Sequence, residues 1–407
     1  MKKRILLILA LIALFVISML AVSCSGEEKI VLNVYNWGEY ISDGSEDSVD
    51  VNAEFEKYCK TVLKKNVEVN YTTFESNESM YNKLKIGAVS YDIVVPSDYM
   101  ISRMVAENML EELNFENIPN FQYISERYRN PYYDPEQKYS VPYFVGYVGI
   151  IYNTKYVDEA DIGGWDLLWN KKYEGKILQF NNARDALGTA MFKEGISVNT
   201  HDSALWNKAL DELKVQKPLL QAYVMDEVFN KMQNGSAWIA PYYVGDFLTM
   251  YEENEDLGFY FPSGGTNIFA DAMCIPKGAP NKEMAEAYIN FMLTREIGIA
   301  NAEWVYYSSP NELVNKDPEY IADMTEIHPD AAELLDPQFE TGYLTEYYHN
   351  FDDETLMLVN SLWEQLKIES SASSNIGVYI TCAVIVAGLA VLFTVRFVIR
   401  RKRAKYY

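Results

Sequence analysis

The run Leu32–Tyr40, LNVYNWGEY, carries an apolar alternation into Trp37, Gly38, Glu39 and Tyr40, a combination that no hydrophobic core requires. Two aromatic faces beside a carboxylate suit an organic cation. The ring quadrupoles attract positive charge, and the carboxylate accepts N–H bonds. An edge cluster with a solvated Glu would use the same residues, so other segments have to decide. Similar groups recur along the chain. Pro96-Ser97-Asp98-Tyr99 follows Tyr91–Val95, and Asn181-Asn182-Ala183-Arg184-Asp185 follows Ile177–Phe180. Pro241-Tyr242-Tyr243-Val244-Gly245-Asp246 follows Trp238–Ala240, and Asp271 follows Thr266–Ala270. Each group stands where an apolar run ends and offers an aromatic, a carboxylate or both.

The elements that must position these groups alternate between two periods. Lys29–Tyr35 reads as a strand, with Gly38 expected to turn the chain after it. Asp50–Lys64 reads as a helix with Val51, Phe55, Tyr58 and Val62 on one face. Val67–Thr72 is a strand, Met80–Ile86 a helix, and Tyr91–Val95 a short buried strand closed by Pro96. Thr266–Ala270 and Ala272–Ile275 read as two strands separated by Asp271. Such alternation predicts an α/β fold with largely parallel sheets, in which ligands sit beyond the carboxyl ends of the strands. Between the two ends of the chain lie about 350 residues, more than one compact core usually holds, so two lobes are expected.

Both ends read as membrane signals. Lys2, Lys3 and Arg4 precede the apolar run Ile5–Met19, as in a signal peptide over residues 1–23. Leu20-Ala21-Val22-Ser23 before Cys24 resembles the lipobox of bacterial lipoproteins, in which that Cys becomes the lipidated first residue; residues 24–30 would then be a tether. At the other end Ile376–Val395 is an uncharged stretch of 20 residues, about the length of a transmembrane helix, entered through a polar linker at 370–375. The tail 396–407 is basic and is expected to be cytoplasmic, with everything upstream extracytoplasmic. The chain has 35 basic and 58 acidic residues; the leader holds 3 of the basic ones and the tail 6, with no acid in either. The remainder is 26 basic against 58 acidic, net −32. That field repels nucleic acid and draws cations. With Cys24 and Cys382 set aside, Cys59 and Cys274 read as small buried thiols rather than a disulfide framework.

Enzyme signatures are missing. His201, His328 and His349 lack metal-ligand spacing, and there is no P-loop, no GxGxxG and no GxSxG elbow. The expectation is a protein without catalytic residues, cofactor or metal.

YNWGEY, FESNESMYNKL (Phe74–Leu84), YDIVVPSDY (Tyr91–Tyr99), YSVPY (Tyr139–Tyr143), NNARDALGTA (Asn181–Ala190), VMDEVFNKM (Val224–Met232), DAMCIPKGA (Asp271–Ala279) and YSSPN (Tyr307–Asn311) occur in this order. Together they resemble the spermidine/putrescine-binding proteins of ABC polyamine importers, within the type II periplasmic-binding-protein family, from Val31 to Leu366. The resemblance implies two α/β lobes joined by crossover strands that close over an extended polyamine. It implies lobe 1 over 31–143 and 268–312, and lobe 2 over 144–267 and 313–369, the last stretch including a C-terminal helix. It also implies partners: ABC permease subunits with their ATPase. The family's ligand site carries over onto Trp37, Glu39, Tyr40, Ser97, Tyr99, Asp185, Tyr243, Phe269, Asp271 and Tyr307, and Asp246, at a position that varies in the family, is expected to join them as a replacement acid. Tyr243 and Phe269 stand where Trp is common, and Asn182 stands where spermidine binders can have Asp, so spermidine and putrescine both remain open. A membrane-tethered polyamine sensor or surface interaction protein is the alternative; the membrane span favours it, and a tail of 12 residues disfavours it.

Overall fold

A computed structural model of the chain describes residues 29–368, apart from residue 88 and the side chain of residue 47. The expected leader, Cys24, the span 376–395 and the basic tail lie outside them. Among the described residues no helix is long and apolar enough to cross a membrane.

The strands are β1 (Ile30–Trp37), β2 (Val67–Phe74), β3 (Ile93–Val94), β4 (Ser140–Asn153), β5 (Ile177–Phe180), β6 (Leu220–Val224), β7 (Ile239–Tyr243), β8 (Leu257–Tyr260), β9 (Thr266–Cys274) and β10 (Thr345–Glu346). Their order is β2-β1-β3-β9-β4-β7-β5-β6, with β8 also on β4 and β10 on β9. β1 pairs parallel with β2 and β3, and β5 pairs parallel with β6 and β7. Parallel neighbours need crossover connections. Helices Val51–Tyr58 and Asn77–Ile86 make them in the first half of the sheet, and Ala183–Lys193, Ser203–Gln216 and Glu227–Gln233 in the second.

β4 and β9 run against this parallel order and tie the halves together. Ser140–Tyr147 of β4 pairs with β9, whereas Val148–Tyr152 pairs with β7. Nearly all of β4 is buried, the mark of a strand covered on both faces rather than one at a wet edge. The carboxyl ends of β1 and β3 on one side, and of β5 and β7 on the other, converge on this pair of long strands.

Three local expectations change, and the reading of the two cysteines holds. The helix over Asp50–Lys64 starts on its Asp50 cap, whose carboxylate accepts from Ala53 N–H at 2.9 Å, but Cys59–Leu63 continues as a π-turn. The wider turn rotates the apolar face. Val51, Phe55 and Cys59 point inward, while Val62 is 60% exposed. Thr266–Ala270 and Ala272–Ile275 merge into the single strand β9, so Asp271 lies inside a ladder opposite Phe144 and not in a loop. The left-handed residue after β1 is Glu39 (φ +49), not Gly38, and a Cβ at Gly38 would meet only an Asp226 carboxylate oxygen at an ordinary 4.0 Å. Cys59 and Cys274 are both buried and free, and burial pushes the Cys59 thiol up to about 11.

Candidate functional site

Strand period puts Phe269 and Asp271, two residues apart on β9, on one face. Gly146 of β4 stands opposite Phe269, and any Cβ there would come within 2.4 Å of the Phe269 ring and 2.9 Å of Tyr307. The glycine therefore lets both rings lie flat against the strand pair. Asp271 is 4% exposed. Tyr40 Oη donates to its Oδ2 at 2.7 Å, while its Oδ1 is buried with no partner. Tyr40 is fixed in turn, because Tyr143 Oη donates to its carbonyl at 3.0 Å. Its ring meets Tyr143, Phe144 and Tyr307 edge-on at 5.4–5.6 Å between centres. Burial pushes the Asp271 carboxyl up to about 6, opposed by the Ser97 and Tyr40 hydroxyls.

The facing wall repeats the pattern of a tyrosine hydroxyl on a carboxylate. Tyr243 Oη donates to Asp185 Oδ2 at 2.7 Å, and Tyr307 Oη donates to Asp246 Oδ2 at 2.9 Å. Asn182 caps helix Ala183–Lys193 by accepting from Asp185 N–H at 2.8 Å, and its amide donates to Asp185 Oδ2 at 2.6 Å. Burial raises both carboxyls, that of Asp246 to about 7. Phe269 joins the two walls, with its ring 5.3 Å from Tyr243 and 5.7 Å from Tyr307. Six of the eleven expected residues thus form one connected shell with Tyr40: Asp185, Tyr243, Asp246, Phe269, Asp271 and Tyr307.

The other four surround it. Trp37 packs on Phe74 at 4.5 Å, with its indole N–H buried and unpaired. Glu39 is exposed at its left-handed turn, close enough for its charge to push Asp246 upward. Ser97 bridges to the Asp271 backbone, and its Oγ accepts from Asn77 at 3.1 Å. Tyr99 Oη donates to Glu78 at 2.9 Å, and its ring face is covered by the Arg184 guanidinium 4.4 Å away. Asp98, next to Ser97, is buried for a different purpose. Its carboxylate accepts the N–H groups of Tyr99 (2.6 Å) and Ala270 (3.1 Å), which locks the loop onto β9. Among the described residues no group of three or more His, Cys, Asp or Glu is placed to hold a metal ion.

A cluster of acids and rings gathered across a shared strand pair suits a small cationic solute, and the comparisons with known proteins agree in class. The model of the bacterial extracellular solute-binding protein family matches residues 51–326. The chain belongs to this family. The spermidine/putrescine-binding periplasmic protein of Salmonella typhimurium is 32% identical over 328 residues, 78% of this chain and 90% of that protein. A structure from Listeria monocytogenes, assigned to a spermidine/putrescine ABC transporter, is 34% identical with a TM-score of 0.74, covering 83% of this chain and 99% of its own. The TpPotD lipoprotein of Treponema pallidum is 28% identical with a TM-score of 0.67, over 83% of this chain and 99% of its own.

Residue types alone did not reveal every member of this solute-binding protein's cleft. Tyr143, Arg184, Asn77 and Asp226 all lie inside motifs quoted above, yet none was assigned a role. What would have singled out Arg184 is its sign: it is the one base in a run of loops otherwise made of acids and rings.

Proposed function

We propose that this solute-binding protein is the extracytoplasmic receptor of an ABC importer and that its ligand is spermidine or putrescine. The observation that carries the reading is Asp271: a buried carboxylate with one bare oxygen, walled by Tyr40, Phe269 and Tyr307, calls for an N–H-bearing cation. A neutral sugar would leave that charge uncompensated. Asp185 and Asp246 supply further acceptors for a ligand with more than one ammonium group. Each charge-assisted hydrogen bond adds about 1.5–3 kcal/mol and each cation–π contact about 0.5–2 kcal/mol. Two or three of them reach the roughly −8 kcal/mol of micromolar binding after the ordering cost of a flexible chain is subtracted.

In this reading Trp37, Glu39 and Ser97 complete the ligand's surroundings, and Tyr99 borders them with its ring face on Arg184. Two lobes, 31–143 with 268–312 and 144–267 with 313–369, close about β4 and β9 and present the loaded form to the permease. No bond is made or broken. Lipid on Cys24 and the span 376–395 would hold the receptor at the membrane; the name lipoprotein on the Treponema relative supports the first of these. Calorimetry of the full chain with each polyamine tests the ligand assignment. Micromolar binding of at least one is expected, and no heat with either at low salt sinks it.

A further inference from the structure

One end of the cleft already contains a cation. Arg184 is 8% exposed, and its guanidinium carbon lies 3.8 Å from the Phe351 ring centre, 4.4 Å from Tyr99 and 5.3 Å from Tyr348. Its Nη1 is buried without a hydrogen-bond partner. The group therefore rests on ring faces, in the field of the adjoining Asp185 carboxylate. Arginine suits such a seat because its planar guanidinium stacks on rings and holds its charge at any physiological pH.

The cage is assembled from both halves of the sheet. Tyr99 follows β3 and is fixed through its hydroxyl, which contacts Asn77 at 3.2 Å and Glu78 at 2.9 Å. Arg184 follows β5 in the other half. Tyr348 and Phe351 follow β10, and Tyr348 Oη donates to Arg184's own carbonyl at 3.2 Å. The Tyr348 carbonyl accepts from Tyr132, which comes from the loop before β4. Gly188, one turn after Arg184, makes room, since a Cβ there would stand 2.6 Å from Tyr348 Oη. Ring and cation thus meet across the cleft on elements that are each pinned independently.

We propose that Arg184 is a closure latch: a resident cation that joins the two halves by stacking on Tyr99, so that the ligand supplies positive charge only at the Asp271–Asp246 end. Arg184 is a positioning residue here, acting on the open–closed balance and not on the ligand. The ligand clause rests on the polyamine reading; the latch itself does not.

The test uses the full chain with one fluorophore on an exposed site in each half, and the variants Arg184→Gln, Tyr99→Leu and the double substitution. Without ligand, each single variant is expected to shift the distance distribution toward open, and the double variant no further than either, because both remove the same contact. Polyamine dissociation should quicken about 3- to 30-fold, with association changed by less than about threefold. An unchanged ligand-free distribution in Arg184→Gln, or in Tyr99→Leu should the first variant fold poorly, overturns the latch. So do fully additive effects. Tighter spermidine binding by Arg184→Gln also overturns it, since the cage would then be an ammonium subsite. If the unaltered chain binds no polyamine, the ligand reading fails while the ligand-free distances still decide the latch.

Discussion

The two ends of the cleft are opposites in charge bookkeeping. At the Asp271–Asp246 end, carboxylates are buried among rings with tyrosine hydroxyls as their donors, and one oxygen of Asp271 has none. At the Tyr99 end a guanidinium is buried among rings, and one of its nitrogens has no acceptor. The first end is incomplete until a cation arrives; the second carries its own. The difference separates two tasks that a binding protein must perform with the same chemistry, recognising a ligand and holding two halves together. Recognition needs groups whose partner is missing from the chain. Closure needs partners that both belong to it.

The sharpest way to break this contrast is to remove the acid that lacks its partner. Asp271→Asn should weaken polyamine binding about 30- to 1,000-fold, because it takes one member from a buried charge pair. Asp98→Asn serves as the internal comparison. Asp98 is equally buried, and burial pushes its carboxyl up to about 8, so it is largely protonated at neutral pH. Its acceptors are already filled by backbone N–H groups. That substitution should change affinity less than about fivefold while lowering the melting temperature through a lost backbone anchor. Calorimetry and thermal melts on both variants read out the two effects. Equal losses of affinity would mean that Asp271 is not the ligand's partner.

Proton linkage comes next in size. Burial pushes the Asp271 and Asp246 carboxyls up to about 6 and about 7 by disfavouring their charged forms. An ammonium ion favours those charged forms, so binding near pH 6 should release protons. Affinity should rise by up to tenfold per pH unit per proton released between pH 5.5 and 7.5, then level off. Calorimetry in buffers of different ionisation enthalpy counts the protons; zero release at pH 6 would contradict the assignment. The Arg184 end should not follow this profile, because a guanidinium does not titrate there.

The same shifts set a smaller effect on stability. A carboxyl whose folded value exceeds its ordinary 3.8 binds more protons folded than unfolded. Stability therefore falls as pH rises from about 4 through the folded value. The ligand-free protein should melt lower at pH 8 than at pH 5 on account of these groups, and saturating polyamine should reverse the trend. Asp271→Asn removes one ionisation penalty and should raise the ligand-free melting temperature at pH 8 by about 2–4 °C. The residue that recognises the ligand thus weakens the empty fold.

How much of this was legible in the sequence follows from how local each signal is. The α/β class, β1, β2 and β5 follow from apolar period, and the cap at Asn182 from an Asx residue at a helix start. The shell of acids and rings was legible as types at strand ends. What was not legible depends on contacts far apart in the chain. The π-turn at Cys59–Leu63 changes a helical face without a change in residue type. β9 continues through Asp271 because β4 pairs with it there, and its buried carboxylate finds a donor in Tyr40, 231 residues away. Tyr99 read as a ligand ring, but whether its face is free depends on Arg184, 85 positions later, and no window of sequence contains both.

Asn182 offers the finest test of the contrast between the ends. Its amide now quiets Asp185 by donating to it, while its oxygen caps the helix. Asp is as good a cap as Asn, so Asn182→Asp should fold normally, yet it replaces a donor with a second carboxylate beside the first. If the number of available acids decides which polyamine fits, this change should shift preference toward the three-amine ligand by about 3- to 10-fold relative to the two-amine one. An unmoved ratio would assign the choice to length instead, with the filled cage at Arg184 marking where the ligand's share of the cleft ends.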